Sequence, residues 1–215
     1  MIQPPVTPPS GLRERKKAHT RRRLIDTAIE LCLKQGYENT TVEEISDLVE
    51  VSPRTFSRYF ASKEDVFIAV IDDLAEEITA ELSTQPSDLG PLESLRAAHV
   101  SVLTRVAEQR QIAGLTVDRV AVILQIVQSS DALRHAAMEY RSVPALEILA
   151  KRMGVPVDDK RLELAVALFS TTIVTACTDV AATEDDFLLG PDFIKDRLEK
   201  ALADLAHFTA ELQLP

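Results

Sequence analysis

The residues best suited to chemistry lie between positions 53 and 58. Pro53, Arg54, Thr55, Ser57 and Arg58 fall on the face that a short helix would leave exposed, and none of them is acidic. Arginine can fork two N–H donors onto a guanine edge, and Thr and Ser hydroxyls can serve base edges or backbone oxygens. A carboxylate in the same place would repel phosphate. The chemistry implied is recognition of a polyanion by hydrogen bonds rather than the making or breaking of covalent bonds. Other reactive patterns are missing. His19, His99, His135 and His207 are scattered without metal-ligand spacing, and the sequence holds no Gly-rich phosphate loop, nucleophile elbow or His-Glu-x-x-His motif. Cys32 and Cys177 stand far apart without spaced histidine companions, so neither a disulfide framework nor a zinc site is expected. Carboxylate pairs such as Asp72-Asp73, Glu76-Glu77 and Asp185-Asp186 read as solvated acidic surface. No enzymatic activity, metal or cofactor is expected.

The elements that must position residues 53–58 are helices. Val42 to Phe60 reads as two short helices around a three-residue turn, with Ile45, Val49, Val51, Phe56 and Tyr59 apolar where the helices must touch each other and a supporting first helix. Ser46 is small where the helices cross closely. Thr41 and Glu44 form a capping box at the start of the second helix, and Ser52 followed by Pro53 starts the third, which is expected to run to Phe60. The supporting helix is expected over His19 to Gln35, stopped by Gly36, and a fourth follows Ser62 with Val66, Phe67, Val70, Ile71, Leu74, Ile78 and Leu82 in a 3.6-residue stripe. Further helices are placed near 91–111, 115–129, 131–152, 160–182 and 191–213, the third of these kinked or split at Pro144. No stretch alternates as a strand does, so the fold class is all-α.

Charge divides the chain in the same place. Residues 1–63 carry 11 Lys/Arg against 8 Asp/Glu, whereas residues 64–215 carry 13 against 26. A basic head therefore precedes an acidic body, and Arg13, Arg15, Lys16, Lys17, Arg21, Arg22 and Arg23 crowd together with only Glu14 opposing. Taken alone, such a run reads more readily as a solvated tail. The first twelve residues, with Pro4, Pro5, Pro8 and Pro9, read as an extended arm without the pattern of a secretory signal. The longest uncharged run, Leu164 to Thr178, is 15 residues long, too short and too polar to span a bilayer. The expected location is cytoplasmic. The expected organisation is a basic arm over 1–18, a helix-turn-helix domain over 19–62 and a larger helical domain over 63–215.

From Leu24 onward the run IDTAIELCLKQGYENTTVEEISDLVEVSPRTFSRYFASKEDVF resembles the N-terminal domain of the TetR family of transcriptional regulators. The resemblance implies a sequence-specific DNA-binding regulator, a repressor released when its second domain binds a small molecule. It also implies DNA contacts from Thr41, Pro53, Arg54, Thr55, Ser57, Arg58, Tyr59 and Lys63. Lys63 is supported independently, because the first turn of a helix already favours an anion; Tyr59 can be a core ring and still bring its hydroxyl to the surface. Two residues depart from the family pattern: Glu50 replaces the usual turn glycine, and Leu48 a smaller alanine.

The body resembles the C-terminal domains of such regulators more loosely, from about Ala132 to Gly154 and in its last helices. Some of those relatives respond to acyl-CoA-like or other apolar ligands, and a largely apolar inducer is expected. His99, Arg119, Gln125 and Tyr140 are the candidate polar anchors for it. Ile194, Leu198, Ala201, Leu205, Phe208 and Leu212 space out a packing seam. The helices near 160–182 and 191–213 could thus pair with a second copy as a four-helix interface, or be buried within one chain. A two-fold homodimer would read a palindromic operator with half-sites about one helical turn or more apart. The rival reading is a dimeric interaction protein without a specific operator.

Overall fold

The computed structural model describes residues 11–109, 115–129, 131–178 and 190–211. Among these the chain forms ten helices and no strand: α1 Leu12–Gln35, α2 Val42–Val49, α3 Pro53–Phe56, α4 Lys63–Thr84, α5 Pro91–Ala107, α6 Val117–Ser129, α7 Asp131–Glu139, α8 Val143–Met153, α9 Lys160–Ala176 and α10 Pro191–Ala210. The chain divides into two compact units between Phe67 and Ile68, within α4. The expected boundary at 62/63 falls one turn too early. Val66 and Phe67 are fully buried, and the Phe67 ring meets the edge of Tyr37 at 5.2 Å, so the first turn of α4 belongs to the core of the first unit.

In the first unit α1 packs on α2, and α2 on α3. Leu24, Ile25, Ala28, Leu31 and Cys32 of α1 meet Ile45, Ser46 and Val49 of α2 and Phe56 beyond the turn, all of them buried. Burial pushes the Cys32 thiol up to about 12, and the thiol stays protonated and inert. Thr41 caps α2 as expected: its hydroxyl accepts from Glu44 N–H, and the Glu44 carboxylate accepts from Thr41 N–H at 3.1 Å. The helix starts earlier than expected at the other end of the unit. Residues 12–18, assigned to the arm, are the first two turns of α1. The expectation followed the apolar periodicity, which begins only at Leu24. The exposed Arg-Glu-Arg-Lys-Lys-Ala stretch is helical by intrinsic propensity and has no proline after Gly11. Residues 1–10 of the expected arm lie outside the described residues.

The turn after α2 holds Glu50 at φ 60° and ψ 42°, in the left-handed region, with Glu50 N–H bonded to Asp47 O and Val51 N–H to Ser46 O. This helix ending favours glycine, because a Cβ there meets the following carbonyl. Glu50→Gly is therefore expected to stabilise the first unit by about 1 kcal/mol. Urea titration compared with wild type checks this, and an unchanged or lowered midpoint would show that Glu50 is held there by something that outweighs the strain.

The second unit is built around one core, in which α5 supplies Leu95, Ala98, Val102, Leu103 and Val106, and α6, α8, α9 and α10 close around it. The segment expected as one helix over 131–152 is split. Ser142 caps α8, accepting from Ala145 N–H, and Pro144 occupies the first turn, where its missing donor is harmless. The expected seam along α10 divides. Ile194 and Leu198 are buried in the core of their own chain, whereas Phe208 is 62% exposed; Leu212 lies outside the described residues. On α9 the side carrying Leu162, Ala165, Phe169 and Val174 is buried, and Leu164, Thr171 and Thr175 stand exposed on the other. α5, α9 and α10 end at Ala107, Ala176 and Ala210, each followed by turn, short of the expected 111, 182 and 213.

Candidate nucleic-acid interface and ligand cavity

Ser52 accepts from Thr55 N–H at 3.1 Å and begins the segment that carries the basic face. The α-helix is shorter than expected. After Phe56 the coil tightens in part: Arg58 N–H bonds to Thr55 O and Tyr59 N–H to Phe56 O as i→i+3 turns, while Phe60 N–H makes an α-type bond to Phe56 O. The Ser57 hydroxyl also donates to Pro53 O at 3.0 Å, beside the backbone bond from Ser57 N–H to the same carbonyl at 2.9 Å. Phe56 and Phe60 are buried with their rings 5.8 Å apart, which pins the segment from beneath. Pro53, Arg54, Ser57 and Arg58 are exposed, and Thr55 is half-buried with its hydroxyl 3.0 Å from that of Ser52. Neither Arg54 nor Arg58 is in an ion pair among the described residues, so both guanidinium groups can turn to a partner.

The structure adds a part the sequence did not reveal. The helical extension of α1 brings Arg13, Lys16, Lys17 and Thr20 beside Arg58 and Tyr59 around a shallow cleft of about 390 Å³, with Glu14 as its single acid. Arg21 also lies over the Phe60 ring, 5.2 Å from its centre. Tyr59 is half-buried and lines this cleft, so its ring supports the segment and also faces a concentration of cations. Such a cradle suits the phosphate backbone beside a groove. Lys16→Ala/Lys17→Ala is expected to lower the slope of log affinity against log salt by about one to two units, with sequence preference retained. DNA titrations at several salt concentrations check this; an unchanged slope would place the cleft away from the backbone.

Thr41 is exposed at the start of α2, although its hydroxyl is already engaged with Glu44. Lys63 sits differently from the free cation expected. Its ammonium donates to Tyr37 O at 2.8 Å and lies 4.0 Å over the Tyr37 ring, while the Tyr37 hydroxyl donates to Glu64 at 2.9 Å. Lys63 thus ties the loop after α1 to the first turn of α4, with N–H donors to spare.

The second unit holds a partly open cavity of about 200 Å³, walled by α4 with α5 to α10. Leu74, Ile78, Ile123, Leu146, Val166, Ile173 and Ile194 make it largely apolar. Of the four expected anchors, His99 and Tyr140 line it; Arg119 and Gln125 do not. Arg119 is instead buried in an ion pair with Asp73 at 2.6 Å. Sequence reading missed Thr79, Arg141, Ser142 and Ser170. The Thr79 and Ser142 hydroxyls lie 3.2 Å apart, and Arg141 donates to the carbonyls of Met138 and Tyr140. Burial, with the Asp72 carboxylate beside it, pushes the Tyr140 phenol up to about 12, so it stays protonated.

A capped three-helix head that exposes a cationic segment defines a helix-turn-helix DNA-binding regulator. Residues 24–70 match the family described as bacterial regulatory proteins, tetR family. The chain is 40% identical to the HTH-type transcriptional regulator TcmR of Streptomyces glaucescens over 166 residues, covering 74% of this chain and 72% of that one. It is 28% identical over 87 residues to RutR of Escherichia coli K12, an HTH-type transcriptional regulator, covering 40% of this chain and 41% of RutR. Among solved structures, a TetR-family regulator from Streptomyces coelicolor A3 shares the fold with a TM-score of 0.51 and 21% identity, covering 89% of this chain and 96% of that one. The chain belongs to the TetR family: it is a DNA-binding transcriptional regulator and not an enzyme. Among the described residues no helix is long and apolar enough to cross a membrane.

Proposed function

We propose that this protein is a cytoplasmic repressor that binds a palindromic operator as a homodimer and is released when a small, largely apolar molecule occupies the second unit. The observation that carries this reading is the presence, in one chain, of an exposed cationic segment and a partly open, largely apolar cavity whose wall includes α4, the helix that begins in the DNA-binding unit. A ligand that shifts α4 changes the placement of the heads and with it the fit to two half-sites. The exposed stripe of Leu164, Thr171 and Thr175 on α9 and the exposed Phe208 on α10 support pairing of these helices between two copies. Thr41, Pro53, Arg54, Thr55, Ser57, Arg58 and Tyr59 contact DNA in this reading, and Lys63 contributes through its remaining donors.

Footprinting on the DNA flanking the protein's own gene, with random competitor present, tests the reading. Two protected half-sites related by a dyad, with two chains bound per site by sedimentation, are expected. Weak protection without sequence preference, abolished by moderate salt, would reduce the head to general phosphate attraction.

A further inference from the structure

Most polar atoms around the cavity are already committed to the protein. Thr79 donates to Ala75 O, Ser142 accepts from Ala145 N–H, Arg141 is held by two carbonyls, and the Tyr140 hydroxyl has the Asp72 carboxylate beside it. His99 and Ser170 differ. His99 lies on α5 with its ring 4.7 Å from that of Phe169, and its Nδ1 is 2.8 Å from Leu95 O on its own helix. A carbonyl only accepts, so Nδ1 must carry the proton. Burial holds the ring pKa down to about 4, which makes the imidazole neutral at ordinary pH. The Nε2 edge, opposite the Leu95 bond, is then a lone-pair acceptor with no hydrogen-bond partner among the described residues. Ser170 can donate or accept and so does not choose between ligands; His99 accepts only.

Building on the proposal that the cavity holds the inducer, we infer that the cavity selects an uncharged, largely apolar molecule carrying a hydroxyl, which donates to His99 Nε2. A ligand with only acceptors leaves that lone pair facing another lone pair. A carboxylate adds a charge to a largely apolar cavity whose lining cation, Arg141, already turns its Nη1 to the carbonyls of Met138 and Tyr140. An apolar cavity of about 150 Å³ admits a benzene, so about 200 Å³ fits a compact molecule of one or two rings.

Calorimetric titration of the full chain with 1-naphthol, 1-methylnaphthalene and 1-naphthoate separates the possibilities, because the three differ little in shape. Naphthol is expected to bind about tenfold more tightly than methylnaphthalene, the effect of one buried neutral hydrogen bond. In His99→Phe the two should bind within about twofold of each other, and His99→Gln, which keeps an acceptor, should restore part of the preference. Equal binding of naphthol and methylnaphthalene to wild type overturns the inference and leaves the apolar cavity as the ligand site. Tightest binding by naphthoate also overturns it and makes Arg141 the anchor. Failure of all three to bind removes the cavity reading together with the inference. Should His99→Phe fail to fold, the wild-type ranking and the His99 ring nitrogen shifts decide the matter. A protonated Nδ1 and bare Nε2, with Nε2 moving on addition of naphthol, are expected; the opposite tautomer would overturn the inference.

Discussion

An Arg54→Ala/Arg58→Ala variant is expected to lose specific DNA binding by at least about 100-fold while keeping the fold and the chain's other properties. The two side chains lie four residues apart on one exposed face of the segment that Ser52 starts, and neither is in an ion pair among the described residues. Their removal therefore leaves no buried charge behind. Each forked contact between Arg and a base is worth about 1–3 kcal/mol, so two such contacts per head account for a loss of that size. Fluorescence anisotropy against the operator, with random competitor at fixed salt, measures it, and an unchanged circular dichroism spectrum shows that the head is intact. The result contrasts with that for Lys16 and Lys17, whose loss weakens binding to all sequences alike. If the double variant binds its operator as wild type does, the segment from Pro53 to Arg58 is not the reading face, and the cleft along α1 becomes the better candidate.

The second large effect is expected at Phe56. It is 1% exposed and packs against Phe60 directly beneath the residues that face outward. Truncating a buried phenylalanine to alanine costs about 3–5 kcal/mol, a large part of the stability of a small unit. Phe56→Ala should therefore remove protection from hydrogen exchange across α1 to α3 and abolish operator binding, while α5 to α10 stay protected. Phe56→Leu should fall between it and wild type. A Phe56→Ala protein whose head unfolds within about 1 kcal/mol of wild type would mean that α3 is held by something other than its aromatic base.

Much of the first unit was legible because its signals are local. The capping box of Thr41 and Glu44, Ser52 with Pro53, and the left-handed turn at Glu50 each depend on residues within four positions of one another. The early start of α1 was hidden because a solvated helix shows no apolar period, and the early end of α3 because it lies in the i→i+3 backbone bonds of Arg58 and Tyr59, which no residue pattern marks. The expected contact from Lys63 was placed by motif and by its position in the first turn of a helix. That its ammonium lies on Tyr37 follows from how the loop after α1 folds back on the first turn of α4.

The amino-acid sequence by itself determined the helical class, the basic face of the third helix and the resemblance that carries the regulatory function, because charge, caps and 3.6-residue periodicity are properties of neighbours along the chain. The cavity was decided only by the tertiary structure. Its walls come from positions 71 to 194, and whether a polar residue on a buried helix faces a chamber or another helix depends on the rotation each helix adopts when packed. Arg119 and His99 illustrate the difference. Read along the chain, both were candidate anchors; in the fold one is neutralised by Asp73, and the other turns one nitrogen to its own backbone and leaves the second for whatever enters.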